Sequence, residues 1–332
     1  PHFKIDTSAL KKFLTVAKNV ASTSGRDVVS KSICMKAEGD KLKLMATDFD
    51  VYLEYNLELL NEENVLDDVV IIPLDILQKI LKAAPSTSII YKSDEDEYQM
   101  KITGGDMVLE TYGVDKGKFI FDKDIVKETD LVMSNLYDII NNFGDIASSA
   151  VSPTERRIVC SDDGAYANYM WAIIKSDKSY ADMDMKVKDI KVLKSLVDES
   201  DDTVEVYKTS GDAKVERKVI KTDKFKYAFL VSSIEISPDL KNSMDDVLLD
   251  DGVYIDYSQI YKMVELAAEL PYSVGKVDIN FTDDEELKLI IKTKSDKNSV
   301  FTLSGSVAGE LQPLSGELTI QAKLFKILLK SF

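Results

Sequence analysis

The 332-residue sequence predicts an α+β chain of tandem half-domains, each an amphipathic helix followed by antiparallel strands. Three observations lead there. One order recurs: about three turns of helix, a strand, a short acidic or glycine turn, and a second strand. The helices begin near residues 7, 74, 134, 187, 257 and 320, a mean spacing of about 63 residues. Solenoid repeats mostly run ~20–50 residues, so a spacing near 60 fits half of a compact domain better. Hydrophobic residues make up 45% of the chain, enough to bury a core in each domain.

In the first unit the helix starts near Thr7, a residue type that caps helices. Leu10, Phe13, Leu14, Ala17 and Val20 form its apolar stripe. Residues 32–36 read as a strand, Glu38-Gly39-Asp40 as the turn, and residues 41–48 as a return strand of period two. In the second unit Leu77, Ile80, Leu81 and Ala84 share a helix face, and strands over 88–92 and 98–103 flank the acidic turn 94–97. In the third, Leu136, Ile139, Ile140, Phe143 and Ala147 stripe a helix, followed by strands over 157–160 and 166–175. The fourth has Ile190, Leu193 and Val197, then strands over 204–208 and 215–220. The fifth has Ile260, Met263, Val264 and Ala267, then strands over 277–281 and 287–292. The sixth shows only its helix, with Leu324, Ile327 and Leu328, before the sequence stops at Phe332. Two units to a domain predict three domains, over residues 1–127, 128–247 and 248–332, the third short or truncated.

Several classes are disfavoured. No apolar run approaches the ~18 residues of a membrane span. Pro1-His2-Phe3-Lys4-Ile5-Asp6 lacks the basic stretch and apolar core of a signal peptide. Cys34 and Cys160 sit in apolar, strand-like runs and read as buried reduced thiols, which points to the cytoplasm. With His2 the sole histidine, neither a zinc site nor a Ser-His-Asp or Cys-His arrangement can be assembled. GxxxxGK[ST] and GxGxxG are both missing, and Gly104-Gly105 reads as a turn. Acidic runs such as Asp94-Glu95-Asp96-Glu97 read as solvated turns. No catalysis, cofactor or metal is expected; a carboxylate hydrolase using Mg²⁺ has no motif behind it.

The order of units resembles the bacterial-type DNA sliding clamp. Phe3-Lys4-Ile5 through Leu42-Lys43-Leu44-Met45-Ala46-Thr47-Asp48 is similar to the strand-helix-strand-turn-strand opening of that family, ending in its Thr-Asp pair. Val70-Ile71-Ile72-Pro73 entering the second helix, and Ser237-Pro238-Asp239 before the third domain, also resemble it. The resemblance implies a closed ring, usually a homodimer, with helices inside and sheets outside. It implies a non-enzymatic processivity factor that encircles duplex DNA and holds DNA polymerase and the clamp loader through short linear motifs. By resemblance the partner pocket lies between the second and third domains, with Tyr169, Trp171, Ile173, Pro238 and Leu240 as candidates. Ala172-Ile173 departs from the family's Thr-Asp at the matching position, and lysine far outnumbers the four arginines. The departure suggests a divergent bacteriophage member, and the lysine preference an AT-rich genome.

A ring around DNA requires positive charge on the helices, since phosphate attraction is the sequence-independent part of DNA binding. The formal net charge is −16. Counted by helix it is +3, +1, −2, 0, −1 and +3, so the helices carry +4 and the remainder −20. The candidate DNA-facing residues are Lys11, Lys12 and Lys18; Lys79 and Lys82; Lys188, Lys191 and Lys194; and Lys323, Lys326 and Lys330, with Arg26 in the turn after the first helix. Lysine, a hydrated and flexible point charge, suits contacts that must slide. The alternative is a clamp-fold interaction scaffold, for example in transcription, that does not encircle DNA; the acidic third and fifth helices favour it.

Overall fold

A computed structural model describes residues 2–21, 28–38, 40–60, 69–83, 87–94, 97–104, 107–112, 123–150, 156–161, 164–169, 172–176, 181–197, 203–210, 215–231, 257–269, 276–281, 286–292, 300–306 and 317–329. The chain forms two compact units, residues 1–233 and 234–332.

In the first unit a strand-helix-strand-strand-strand order runs four times. The first pass is β1 (His2–Lys4), α1 (Thr7–Val20), β2 (Ser32–Glu38), β3 (Lys41–Thr47) and β4 (Tyr52–Glu58). The second is β5 (Val69–Pro73), α2 (Leu74–Ala83), β6 (Thr87–Asp94), β7 (Glu97–Gly104) and β8 (Met107–Tyr112). The third is β9 (Ile125–Val132), α3 (Met133–Ser149), β10 (Arg157–Ser161), β11 (Gly164–Tyr169) and β12 (Ala172–Ser176). The fourth is β13 (Met183–Lys186), α4 (Val187–Leu196), β14 (Thr203–Thr209), β15 (Arg217–Lys221) and β16 (Phe225–Leu230). The second unit contains α5 (Tyr257–Glu269), β17 (Lys276–Phe281), β18 (Glu286–Lys292), β19 (Val300–Ser306), β20 (Glu317–Gln321) and α6 (Ala322–Leu329).

The strand before each helix leaves its own pass. β1 pairs antiparallel with β6, and β5 returns to β2. Likewise β9 pairs with β14 and β13 with β10. This exchange ties the passes together two by two. A seam between β4 and β16, with Tyr52 opposite Ala228 and Tyr55 opposite Phe225, then fuses two sheets into one of eight strands. In the second unit β20 joins β17 at the edge of a four-stranded sheet.

The helical stripes are buried where periodicity predicts. Leu10, Phe13, Leu14, Ala17 and Val20 of α1 are in the core, as are Leu136, Ile139, Ile140, Phe143 and Ala147 of α3. Each large apolar side chain buried in this way stabilises the fold by about 1.5–3 kcal/mol. In β3, Leu42, Leu44 and Ala46 point inward and alternate with half-exposed Lys43 and Met45.

Three expectations are corrected. The cap of α1 is Asp6, whose Oδ1 accepts from Ser8 N at 2.7 Å, while Thr7 is the first helical residue. Residues 166–175 do not form one strand: β11 and β12 are separate, with Tyr169 opposite Ala172. Each complete pass has three strands after its helix rather than two, because β4, β8, β12 and β16 extend the ladder beyond the return strand.

Cys34 and Cys160 are free and buried, and burial pushes the Cys34 thiol up to about 12 and raises that of Cys160 as well. Among the described residues, no helix is long and apolar enough to cross a membrane.

Candidate nucleic-acid interface

In the first unit α1 packs against both α2 and α4, and α4 packs against α3, so four helices stand in a row. Their apolar faces are committed to the core, which leaves the charged faces outward. Lys11, Lys12, Lys18, Lys79, Lys82, Lys191 and Lys194 are exposed on this row, and Lys188 is half-buried. Within the observed helix bounds the charges are +3, +1, −2, +2, −1 and +2 from α1 to α6. Helix α4 is therefore more basic than its expected zero. It stops at Leu196, where the Val197 N–H caps back to the Leu193 carbonyl at 2.8 Å, before Asp198 and Glu199.

Helical arithmetic brings part of this charge into one groove. Lys11, Leu14, Thr15 and Lys18 form one stripe of α1, and Gln78, Leu81 and Lys82 one stripe of α2. The two stripes face each other across a groove of about 210 Å³ lined by these seven residues. Leu14 and Leu81 form its buried floor. The side-chain amide nitrogen of Gln78 is buried and has no hydrogen-bond partner.

Other lysines are engaged. Lys194 Nζ lies 3.3 Å from Asp145 Oδ1 of α3, and Lys326 Nζ 3.0 Å from Glu265 Oε1 across α6 and α5. Lys188 pairs with Asp48. Lys79 lies 3.8 Å from Asp75 on an exposed helix face. Among the described residues, Lys11, Lys12, Lys18, Lys82 and Lys191 have no carboxylate within ion-pair distance. Lys323 lies on α6, Tyr169 ends β11 and Ile173 lies in β12, with their side chains outside the described residues. Arg26, Trp171, Pro238, Leu240 and Lys330 also lie outside the described residues.

The Thr47-Asp48 pair builds the turn between β3 and β4. Thr47 Oγ1 accepts from Phe49 N at 2.9 Å and donates to the Val51 carbonyl at 2.8 Å. Asp48 Oδ1 accepts from Asp50 N at 3.1 Å and Val51 N at 2.9 Å. Two residues from distant strands and helices grip this turn. Lys188 of α4 pairs with Asp48, and buried Arg217 of β15 donates to the carbonyls of Phe49 at 3.1 Å and Asp50 at 3.3 Å. Sequence reasoning picked out Thr47-Asp48 but missed Arg217, because a lone arginine in a basic run carries no signal of a partner some 170 residues away.

Four helices in a row over exchanged antiparallel sheets, with a seam joining two sheet systems, make up the larger unit. No protein-family model and no curated protein matches the sequence, but solved structures match it end to end. The C. crescentus beta sliding clamp is 15% identical, with a TM-score of 0.76 over 99% of this chain and 90% of that one. The DNA polymerase III subunit beta of Pseudomonas aeruginosa is 18% identical, with a TM-score of 0.70 over 100% and 90%. The beta subunit from DNA polymerase of Streptococcus pyogenes is 17% identical, with a TM-score of 0.71 over the same shares. The chain has the beta-clamp fold.

Proposed function

We propose that this chain is a DNA sliding clamp, a non-catalytic processivity factor that encircles duplex DNA and tethers DNA polymerase. The likeness of fold to polymerase beta subunits over essentially the whole chain carries this reading. The exposed lysines on the α1–α2 pair and on α4 support it, since sequence-independent attraction to DNA is an attraction to phosphate. On this reading residues 1–127, 128–247 and 248–332 are the three clamp domains. The ring closes as a homodimer in the cytoplasm, built by strand pairing like that of the β4–β16 seam. Among the described residues, the outer edges of β8 and β19 have no strand partner and are available for it. The ring-lining set is Lys11, Lys12, Lys18, Arg26, Lys79, Lys82, Lys188, Lys191, Lys194, Lys323, Lys326 and Lys330. Short linear motifs of polymerase and clamp loader dock at Tyr169, Trp171, Ile173, Pro238 and Leu240. Low identity to the bacterial clamps above supports a bacteriophage origin.

The test is topological. Loaded onto nicked circular plasmid, the protein is retained through gel filtration at moderate salt and released when the plasmid is linearised. Equal loss from circular and linear DNA overturns encirclement and leaves the scaffold reading, which the Lys194–Asp145 and Lys326–Glu265 pairs favour by neutralising helix charge.

A further inference from the structure

We propose that the groove between α1 and α2 is a discrete seat for the DNA phosphate backbone. It supplies most of the chain's attraction to DNA, while α3 and α4 hold their facing charge in check through their own ion pair. The inference rests on the reading of the chain as a DNA-encircling clamp, and it assigns unequal roles to helix pairs that the ring plan alone would treat as equivalent.

The groove differs from the other helix surfaces in two ways. First, three unengaged cations converge on it. Among the described residues, Lys11, Lys18 and Lys82 rim it together without a carboxylate in ion-pair range; elsewhere Lys12 and Lys191 stand unpaired singly, Lys194 on α4 is held by Asp145 and Lys326 on α6 by Glu265. Second, it contains a donor in want of an acceptor, the buried and unpartnered amide nitrogen of Gln78. An unpaired buried donor is costly, and a phosphate oxygen reached by a small rotation of the Gln78 side chain removes that cost.

Size and spacing fit the ligand. A volume of about 210 Å³ leaves room for a solvated phosphate group. Lys11 and Lys18 lie two helical turns apart, ~10.5 Å along the axis. Phosphates on one strand recur every ~3.4 Å of duplex axis, so the two ammonium groups bracket about three steps. The narrow leucine floor offers no edge for reading bases, consistent with binding that ignores sequence.

The test uses the full chain and a short linear duplex, with affinity measured by fluorescence anisotropy across a salt series. The variant K11A/K18A/K82A weakens binding at least tenfold and lowers the magnitude of the salt slope by about 2–3. The control K31A/K41A/K123A, which removes equal charge from exposed sites elsewhere, changes the slope by less than about 1. Q78L, which keeps the charge and removes the amide, weakens binding about fivefold. D145N, which frees Lys194, raises the slope magnitude by about 1. Equal effects of the two triple variants overturn the groove, as does wild-type protein without measurable linear-duplex binding at low salt. An acidic apolar peptide that binds the groove while DNA binding is untouched by the triple variant also overturns it. Plasmid retention is scored separately. Loss of retention with the groove effects intact removes the ring reading and leaves the seat; retention with the groove effects missing does the reverse.

Discussion

Tyr227 Oη donates to Asp189 Oδ1 at 2.7 Å, joining β16 to the first turn of α4 within the buried interior. The other carboxylate oxygen accepts from Lys186 N at 3.0 Å, so one side chain both caps the helix and anchors the sheet beneath it. Burial outweighs these bonds and raises the Asp189 carboxyl above its ordinary 3.8, and burial also pushes the Tyr227 hydroxyl well above 10.0. Y227F is expected to destabilise the fold by about 1–2 kcal/mol in urea unfolding, since the carboxylate loses its donor.

The same pair sets a pH dependence. The folded state binds the Asp189 proton more tightly than the unfolded chain, so this residue's contribution is fullest below 3.8 and falls as pH rises through the higher folded value. D189N keeps the acceptor for Tyr227 and does not titrate. The stability of the wild type relative to D189N should therefore decline from pH 4 toward neutrality, which denaturant melts over that range will measure.

Phe49 has a φ of 73°, the left-handed region, and its ring packs on the buried cluster of Val29, Cys34 and Ile71. Truncation to alanine loses the packing and keeps the backbone cost, whereas glycine loses the packing and relieves it. F49G is expected to be about 1 kcal/mol more stable than F49A, the reverse of the usual order of these two residues. Parallel thermal melts decide.

Arg217 closes the same turn from β15, and its guanidinium also lies 5.7 Å from the ring centre of Tyr52. R217M keeps most of the volume but leaves the Phe49 and Asp50 carbonyls without this donor. It should cost about 2 kcal/mol in equilibrium unfolding.

Helices α3 and α4 meet closely at Gly144, where an added Cβ would sit 2.9 Å from Ile190 Cγ2. G144A gains helix propensity but forces a buried contact apart, for a net loss of about 1 kcal/mol. Because the two sites touch, G144A/I190A should cost less than the two single changes together, and a double-mutant cycle reads the difference.

The helix stripes were legible in the sequence because they are local: Leu10, Phe13, Leu14, Ala17 and Val20 need only a 3.6-residue period to be placed together. The exchange of β1 and β5 between passes was not, since nothing in residues 2–4 specifies Ile89 rather than Cys34 as a neighbour. The lysines of the candidate interface were legible as faces, but their availability was not. Lys194 finds Asp145 on another helix and Lys188 finds Asp48 in the β3–β4 turn, at separations of 49 and 140 residues. The acidity of α3, anomalous when each helix is counted alone, is partly the counter-charge of α4.

The two buried thiols give the protein a built-in clock. Cys34 lies in β2 of the eight-stranded sheet, and Cys160 in β10 of a separate four-stranded sheet. Each is shielded in the folded state and poor in reactive thiolate. Alkylation under native conditions therefore marks moments when the surrounding sheet breathes, and a peptide map separates the two sites. With no engineered probe, the unmodified chain can report whether these two sheets open together or in turn.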